Sequence, residues 1–124
     1  MKSIFEPSRS FTDFHIAGFG HHDGPTVFSD LKIGTKVDLR YEPDNPYDPT
    51  AVAIYYGDTK IGYVPMGENS ELYMLLYYGH DDLFEAFINM ADGAAHPEKQ
   101  FRVTARITDR REGISQKGAG QCYL

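Results

Sequence analysis

The chain has 124 residues and one cysteine, Cys122. One thiol forms neither an intrachain disulfide nor a cysteine-based zinc site, so the fold must be held by packing alone. No apolar run approaches the roughly 18 residues of a membrane helix. The opening MKSIFEPSRS lacks the apolar core of a secretory signal, so a reducing cytoplasm is the expected setting. Catalytic signatures are missing as well. There is no nucleophile elbow, no recognisable triad and no phosphate-cradling glycine loop, and the expectation is a non-enzyme without a cofactor. Five histidines are present, His15, His21, His22, His80 and His96, but none has structural-zinc spacing. His21, His22 and Asp23 outline only a remote third reading, a metal-dependent hydrolase.

Basic side chains are the other shortage. The net charge is −6, which argues against a broad grip on nucleic acid, where many phosphates must be neutralised. Residues 63–98 carry seven acidic side chains and no lysine or arginine. From Lys99 to Lys117 the balance reverses, with six basic and two acidic residues.

What remains is ordinary globular material, 41% hydrophobic and 24% charged, enough for one domain with its own core. The expected layout is an arm over 1–10, a domain over 11–110 and a frayed tail over 111–124. Phe11 to Phe19 alternates moderately and predicts a first strand ending at Gly18–Gly20. Val37, Leu39 and Tyr41 share one face of a second. Ala51 to Tyr56 and Lys60 to Val64 form a third and fourth, joined by the hairpin signal Gly57-Asp58. Leu72, Leu75 and Leu76 then fall at helical spacing behind the capping candidates Glu68, Asn69 and Ser70, and Gly79-His80 stops that helix. Asp81-Asp82 opens a second predicted helix carrying Leu83, Phe84, Phe87 and Ile88. A last strand alternates Phe101, Val103, Ala105 and Ile107 inward with Arg102, Thr104 and Arg106 outward. No βαβ rhythm and no internal repeat occur. The expected fold is mainly β, a small twisted OB-like or SH3-like barrel with a helical pair inserted before the last strand.

The segment Glu42-Pro-Asp-Asn-Pro-Tyr-Asp-Pro-Thr-Ala-Val-Ala-Ile54 stands out. Pro43, Pro46 and Pro49 each hold φ near −65° and push the preceding residue toward extended backbone. A loop so stiffened presents polar side chains at low entropic cost, as a binding surface does. Asp48 also suits an Asx-turn that satisfies the loop's own amides, and Tyr47 also suits a lid packed on the barrel.

Ile16-Ala-Gly18-Phe with His21-His22, then Val37-Asp-Leu39, then the 42–54 segment, then Ile61-Gly-Tyr-Val-Pro65, resembles the HIRAN domain family. The likeness spans about residues 11–107. Asn45-Pro-Tyr-Asp48 with Ala51-Val52 is its specific centre. The resemblance implies an OB-like barrel with accessory helices, found fused to helicases and nucleases or free-standing. In a helicase-fused member, the domain grips a 3′ single-stranded DNA end. By that likeness Tyr47 stacks on a terminal base and Asp48 accepts a hydrogen bond from the 3′-hydroxyl, while Asn45 shapes the loop or touches the end. His21 stands in the region where such members carry an Arg-Tyr pair, so the arginine's charge is missing here.

The implied ligand chemistry is coherent. A terminal hydroxyl is uncharged and donates, so a carboxylate can accept from it, whereas the same carboxylate repels a 3′-phosphate. Aromatic faces stack on any base. The candidate nucleic-acid residues are Tyr47, Asp48, Asn45, His21, His22, Arg102 and Arg106, with no catalytic or metal residues. Arg102, Arg106 and Arg110 share a strand face that suits either a phosphate backbone or simple solvation. Tyr41 and Tyr63 suit the core or rim better than a platform. The expected activity is capture of single-stranded DNA, at 3′-hydroxyl ends, in DNA repair or processing, with a helicase or nuclease as further partner. The alternative is a protein-interaction module using the acidic, tyrosine-rich region 68–90, where Tyr73, Tyr77 and Tyr78 lie.

Overall fold

The computed structural model describes residues 10–21, 24–96 and 99–111. Apart from Ser10 and Arg111, the expected arm and tail, Cys122 included, lie outside the described residues, as do His22 and Asp23. Six strands and one α-helix follow in chain order: β1 (Ser10–His15), β2 (Lys36–Tyr41), β3 (Val52–Tyr56), β4 (Thr59–Tyr63), α1 (Ser70–Tyr77), β5 (Phe84–Ala91) and β6 (Phe101–Ile107). They form one sheet in the order β1-β6-β5-β2-β3-β4, antiparallel at every step.

The sheet curls for identifiable reasons. Register shifts interrupt β1 between Ser10 and Thr12, β4 at Ile61 opposite Ile54 and Tyr55, and β5 between Ile88 and Met90. Each such bulge bends its strand and adds twist. The curl brings the two edges together just beyond β1. There Ala17 and Tyr63 exchange both backbone hydrogen bonds, at 2.8 and 2.9 Å. Gly62 makes that approach possible. Its φ is +154°, and a Cβ there would lie 2.6 Å from the Ala17 carbonyl oxygen and collide with Ile16 Cγ2. Only glycine fits where one backbone crosses so near another.

Alternation along the strands builds the core. Phe14, Ile16, Val37, Val52, Ile54, Ile61, Val103 and Phe101 are all buried and mutually packed. Each such side chain is worth about 1.5–3 kcal/mol against exposure. The α1 helix adds Leu72 and Leu76 to the same cluster. It ends as expected at Gly79, whose φ is +93°, with the His80 amide returning to the Leu75 carbonyl at 2.9 Å. That is the left-handed cap that glycine favours.

The mainly β, twisted-barrel expectation is borne out, but the second helix is not. Asp81 and Asp82 open only a single 3-10 turn to Leu83, and the chain then runs as β5. The helical spacing of Leu83, Phe84, Phe87 and Ile88 competes with a period of two. Ala86 and Ile88 face the core, while Phe87 points outward. There it is covered by Lys36 at 5.8 Å and Arg106 at 4.8 Å from the ring. An outward phenylalanine sheltered by cations imitates a helical apolar face, and pairing with β2 and β6 decides for the strand. In β6 the expected inward Ile107 is also corrected. It lies at the open end of the strand and is 39% exposed.

Candidate nucleic-acid interface

The 42–50 loop joins β2 to β3, and its shape is dictated by its own polar side chains. The Asn45 carboxamide oxygen accepts the amides of Tyr47, at 2.8 Å, and Asp48, at 3.0 Å. The Asn45 nitrogen donates to Glu42 Oε1 at 3.2 Å and reaches the Tyr63 hydroxyl at 3.4 Å. Asn45 is thus the internal clamp of the loop. Asp48 closes an Asx-turn on the Thr50 amide at 2.9 Å through Oδ1. Its other oxygen, Oδ2, accepts from Asn69 Nδ2 at 2.8 Å, and Asn69 Oδ1 accepts from the Thr50 hydroxyl at 2.9 Å.

Asn69 is the residue that sequence reasoning placed for a different task. It precedes α1 at the cap position, yet its side chain caps no helix amide. Among the described residues it is the one buried polar side chain, 2% exposed, and both ends of its carboxamide serve the loop. A buried amide so satisfied fixes its neighbours firmly. Nothing in an asparagine before a helix distinguishes capping from such a cross-chain tie. Only the fold brings position 69 against 48.

Held this way, the loop pushes Tyr47 into solvent at 84% exposure. The lid reading of Tyr47 therefore does not describe this structure. Beside the ring opens a groove of about 670 Å³ lined by Tyr41, Glu42, Asn45, Tyr47, Lys60 and Tyr63. Its floor is a compact network. Lys60 Nζ lies 2.6 Å from Glu42 Oε2 and donates to the Tyr63 hydroxyl at 2.9 Å, which in turn donates to Glu42 Oε1 at 2.7 Å.

The network shifts its members' titration. Burial works against the Glu42 charge, but hydrogen bonds from Lys60, Tyr63 and Asn45 outweigh it and hold the carboxyl below its usual range. Burial likewise opposes the Lys60 charge, and Glu42 with Tyr63 overrides it, raising the ammonium above its usual range. The Tyr63 phenol is pushed up by burial and by the Glu42 carboxylate. Near neutral pH the floor is therefore an ion pair bridged by a neutral phenol. Glu42 and Lys60 carried no signal as a pair in the sequence, because the β2–β3–β4 meander alone brings 42 beside 60.

The remaining candidates stand elsewhere on the sheet. Arg102 bonds Asp13 on β1 and lies 3.2 Å from His15 Nδ1. Burial, then the charges of Arg102 and Lys99, keep His15 below its usual range against the pull of Glu68. Arg106 stacks on Phe87 and lies 3.8 Å from Glu85. Both arginines thus engage β1 and β5, and the structure brings together Asn45, Tyr47 and Asp48 but joins neither arginine to them. His21 ends a short 3-10 turn, Phe19–His21. Among the described residues no group of three His, Cys, Asp or Glu side chains is placed to hold a metal, and no helix is long and apolar enough to cross a membrane.

Two solved structures resemble this fold. A Lactobacillus plantarum protein superposes with a TM-score of 0.70 at 17% identity, covering 83% of this chain and 97% of its own. The HIRAN domain of human HLTF superposes with a TM-score of 0.60 at 15% identity, covering 77% of this chain and 73% of its own. No curated protein matches the sequence. The family model for the HIRAN domain, however, matches residues 10–110, which takes in every strand, the helix and the clamped loop. This chain belongs to the HIRAN domain family.

Proposed function

We propose that the chain binds single-stranded nucleic acid at a free 3′-hydroxyl end of DNA, with the 42–50 loop as the reading element. The HIRAN family is associated with nucleic-acid binding, and its domains are generally binding modules rather than catalytic ones. The observation that carries the finer reading is Tyr47, an aromatic ring at 84% exposure on a loop locked from below. An exposed tyrosine on a mobile loop would lose ordering entropy on stacking; this one has a backbone already ordered. Stacking a base on such a ring is worth about 1–3 kcal/mol and is indifferent to sequence.

Asp48 would supply the end recognition. Its Oδ1 accepts from the amide and hydroxyl of Thr50 and its Oδ2 from Asn69, and Oδ2 retains acceptor capacity for a further donor. Those internal bonds fix the direction of the carboxylate, so a terminal hydroxyl approaching it meets an oriented acceptor. A 3′-phosphate would meet repulsion instead. Lys60, at the groove floor, is a cation beside the loop that could face a backbone phosphate. A helicase or nuclease working on the same DNA, in repair or processing, is the partner this reading implies.

Fluorescence anisotropy with short oligonucleotides ending in 3′-hydroxyl or 3′-phosphate tests the proposal. The hydroxyl ends should bind at least tenfold more tightly. Tyr47→Ala, which removes an exposed ring and leaves the core untouched, should cost about 1–3 kcal/mol of affinity. Asp48→Asn should erase the preference between ends. Equal binding of both ends by the native protein, or full affinity in Tyr47→Ala, would refute it.

A further inference from the structure

A second surface lies beside the groove and has a different character. Tyr41, at the end of β2, meets Tyr73 and Tyr77 of α1 edge-on, at 5.8 and 5.7 Å between ring centroids. Tyr73 and Tyr77 stack on one another at 5.8 Å, and Tyr78 abuts Tyr77 at 5.0 Å. Much of this cluster faces water: Tyr41 is 40%, Tyr77 49% and Tyr78 70% exposed, with Met74 at 51% beside them. The end of β2 and one face of α1 with the residue after it thus place four tyrosines in one continuous patch.

Acidic side chains outnumber basic ones around the patch, with Arg40 the basic residue of its cavity. Asp44 lines the neighbouring groove together with Tyr41, and Asp81 lines a cavity of about 350 Å³ together with Tyr41, Tyr77, Leu39 and Leu76. Glu71 lies one turn before Met74 and Leu75 on α1. Among the described residues Asp44, Glu71 and Asp81 enter no ion pair, whereas Asp13, Glu42, Asp82, Glu85 and Asp109 each have a basic partner. The one arginine lining the cavity, Arg40, is engaged with the Tyr55 ring at 3.9 Å and the Gly57 carbonyl at 3.1 Å.

Aromatic faces ringed by unpaired carboxylates repel phosphates and favour cations. We infer that this patch is a docking surface for an arginine-bearing peptide segment of a protein partner. A guanidinium would enter the cavity between Tyr41 and Tyr77, lay its methylene stem on Leu39 and Leu76, and meet the Asp81 carboxylate. A planar cation gains both from the ring faces and from bidentate pairing with a carboxylate. Tyrosine and methionine are also residue types that partner surfaces favour. This site does not include Tyr47 or Asp48, though it borders the groove beside Tyr47 and shares Tyr41 and Asp44 with it.

The probe is a nine-residue peptide alternating arginine and glycine, with its lysine and glutamate counterparts, titrated at physiological salt and followed by NMR of the tyrosine rings. The arginine peptide should shift Tyr41, Tyr73 and Tyr77 and bind several-fold more tightly than the lysine peptide, while the glutamate peptide should not bind. Tyr77→Leu keeps the net charge and should weaken binding at least tenfold. Asp44→Asn with Asp81→Asn should do the same, and Tyr47→Ala should leave it unchanged. Undiminished binding in Tyr77→Leu and in Tyr41→Leu would reduce the effect to general attraction by an acidic protein and overturn the inference. So would equal binding of the lysine peptide, or ring shifts at Tyr73 and Tyr77 produced by a thymidine oligonucleotide instead of by the peptide.

Discussion

Gly62 and Asn69 show how much a single position can decide in this molecule. Gly62 stands where the two sheet edges meet, in a backbone conformation that side chains avoid and with no room for a Cβ. Gly62→Ala should therefore destabilise the fold by at least about 2 kcal/mol, through overpacking and backbone strain together. A lowered urea midpoint with an unchanged slope is the expected readout. Asn69 ties the start of α1 to the 42–50 loop through Thr50 and Asp48, 19 and 21 residues away. Asn69→Ala leaves the Asp48 carboxylate short of a buried donor, at about 1–3 kcal/mol. It should also loosen the loop, so oligonucleotide affinity should fall even at temperatures where the variant is fully folded. An Asn69→Ala protein with native affinity would show that loop order contributes nothing to binding.

At the scale of elements, the β2–β3–β4 meander joins Glu42, Lys60 and Tyr63 into a titrating unit. The Glu42 carboxyl is held below its ordinary value of 4.5 by Lys60, Tyr63 and Asn45 after burial has opposed it. A depressed carboxyl stabilises the fold above that value and loses its contribution as pH falls through the folded value. Lys60, raised above its ordinary 10.5, keeps its contribution below that pH and loses it only in stronger alkali. Between these limits the pair is constant. The native protein should then lose more stability than Glu42→Gln on going from about pH 5 to pH 3, by no more than about 1 kcal/mol because the pair is partly solvated. Urea titrations of both proteins at the two pH values check the difference. The same scale shows what the sequence could disclose. The Gly57-Asp58 hairpin, the alternation of β6 and the Gly79 stop are local patterns, and each is where the residues put it. The strand at 84–91 was illegible because Phe87 is apolar yet outward, and its shelter under Lys36 and Arg106 comes from strands far away in sequence. The loop's stiffness was legible in its three prolines, but its anchor, Asn69, was not, because the tie spans a hairpin and a turn.

For the whole molecule, the question is how a chain of net charge −6 could hold nucleic acid at all. Arg102, Arg106, Arg110 and Arg111 each face a carboxylate, so the basic stretch near the C-terminal end of the sheet offers little uncompensated charge. Among the described residues these arginines offer no broad electrostatic footprint, and on the proposed reading affinity would come from stacking and from the end itself. Capture of an end needs only two or three nucleotides and engages about two phosphates. For single strands each neutralised phosphate contributes roughly −0.7 to the slope of log affinity against log salt, so two give about −1.4. Raising salt from about 50 to 200 mM should then weaken binding by roughly sevenfold. A protein that clasps a long strand through many phosphates would lose on the order of a thousandfold or more over the same range. Anisotropy at the two salt concentrations separates these cases. A steep slope would mean that strand length, and not the terminus, is what this surface reads. A shallow slope that persists when the oligonucleotide is lengthened from about three to ten nucleotides would place the whole recognition within the reach of the 42–50 loop.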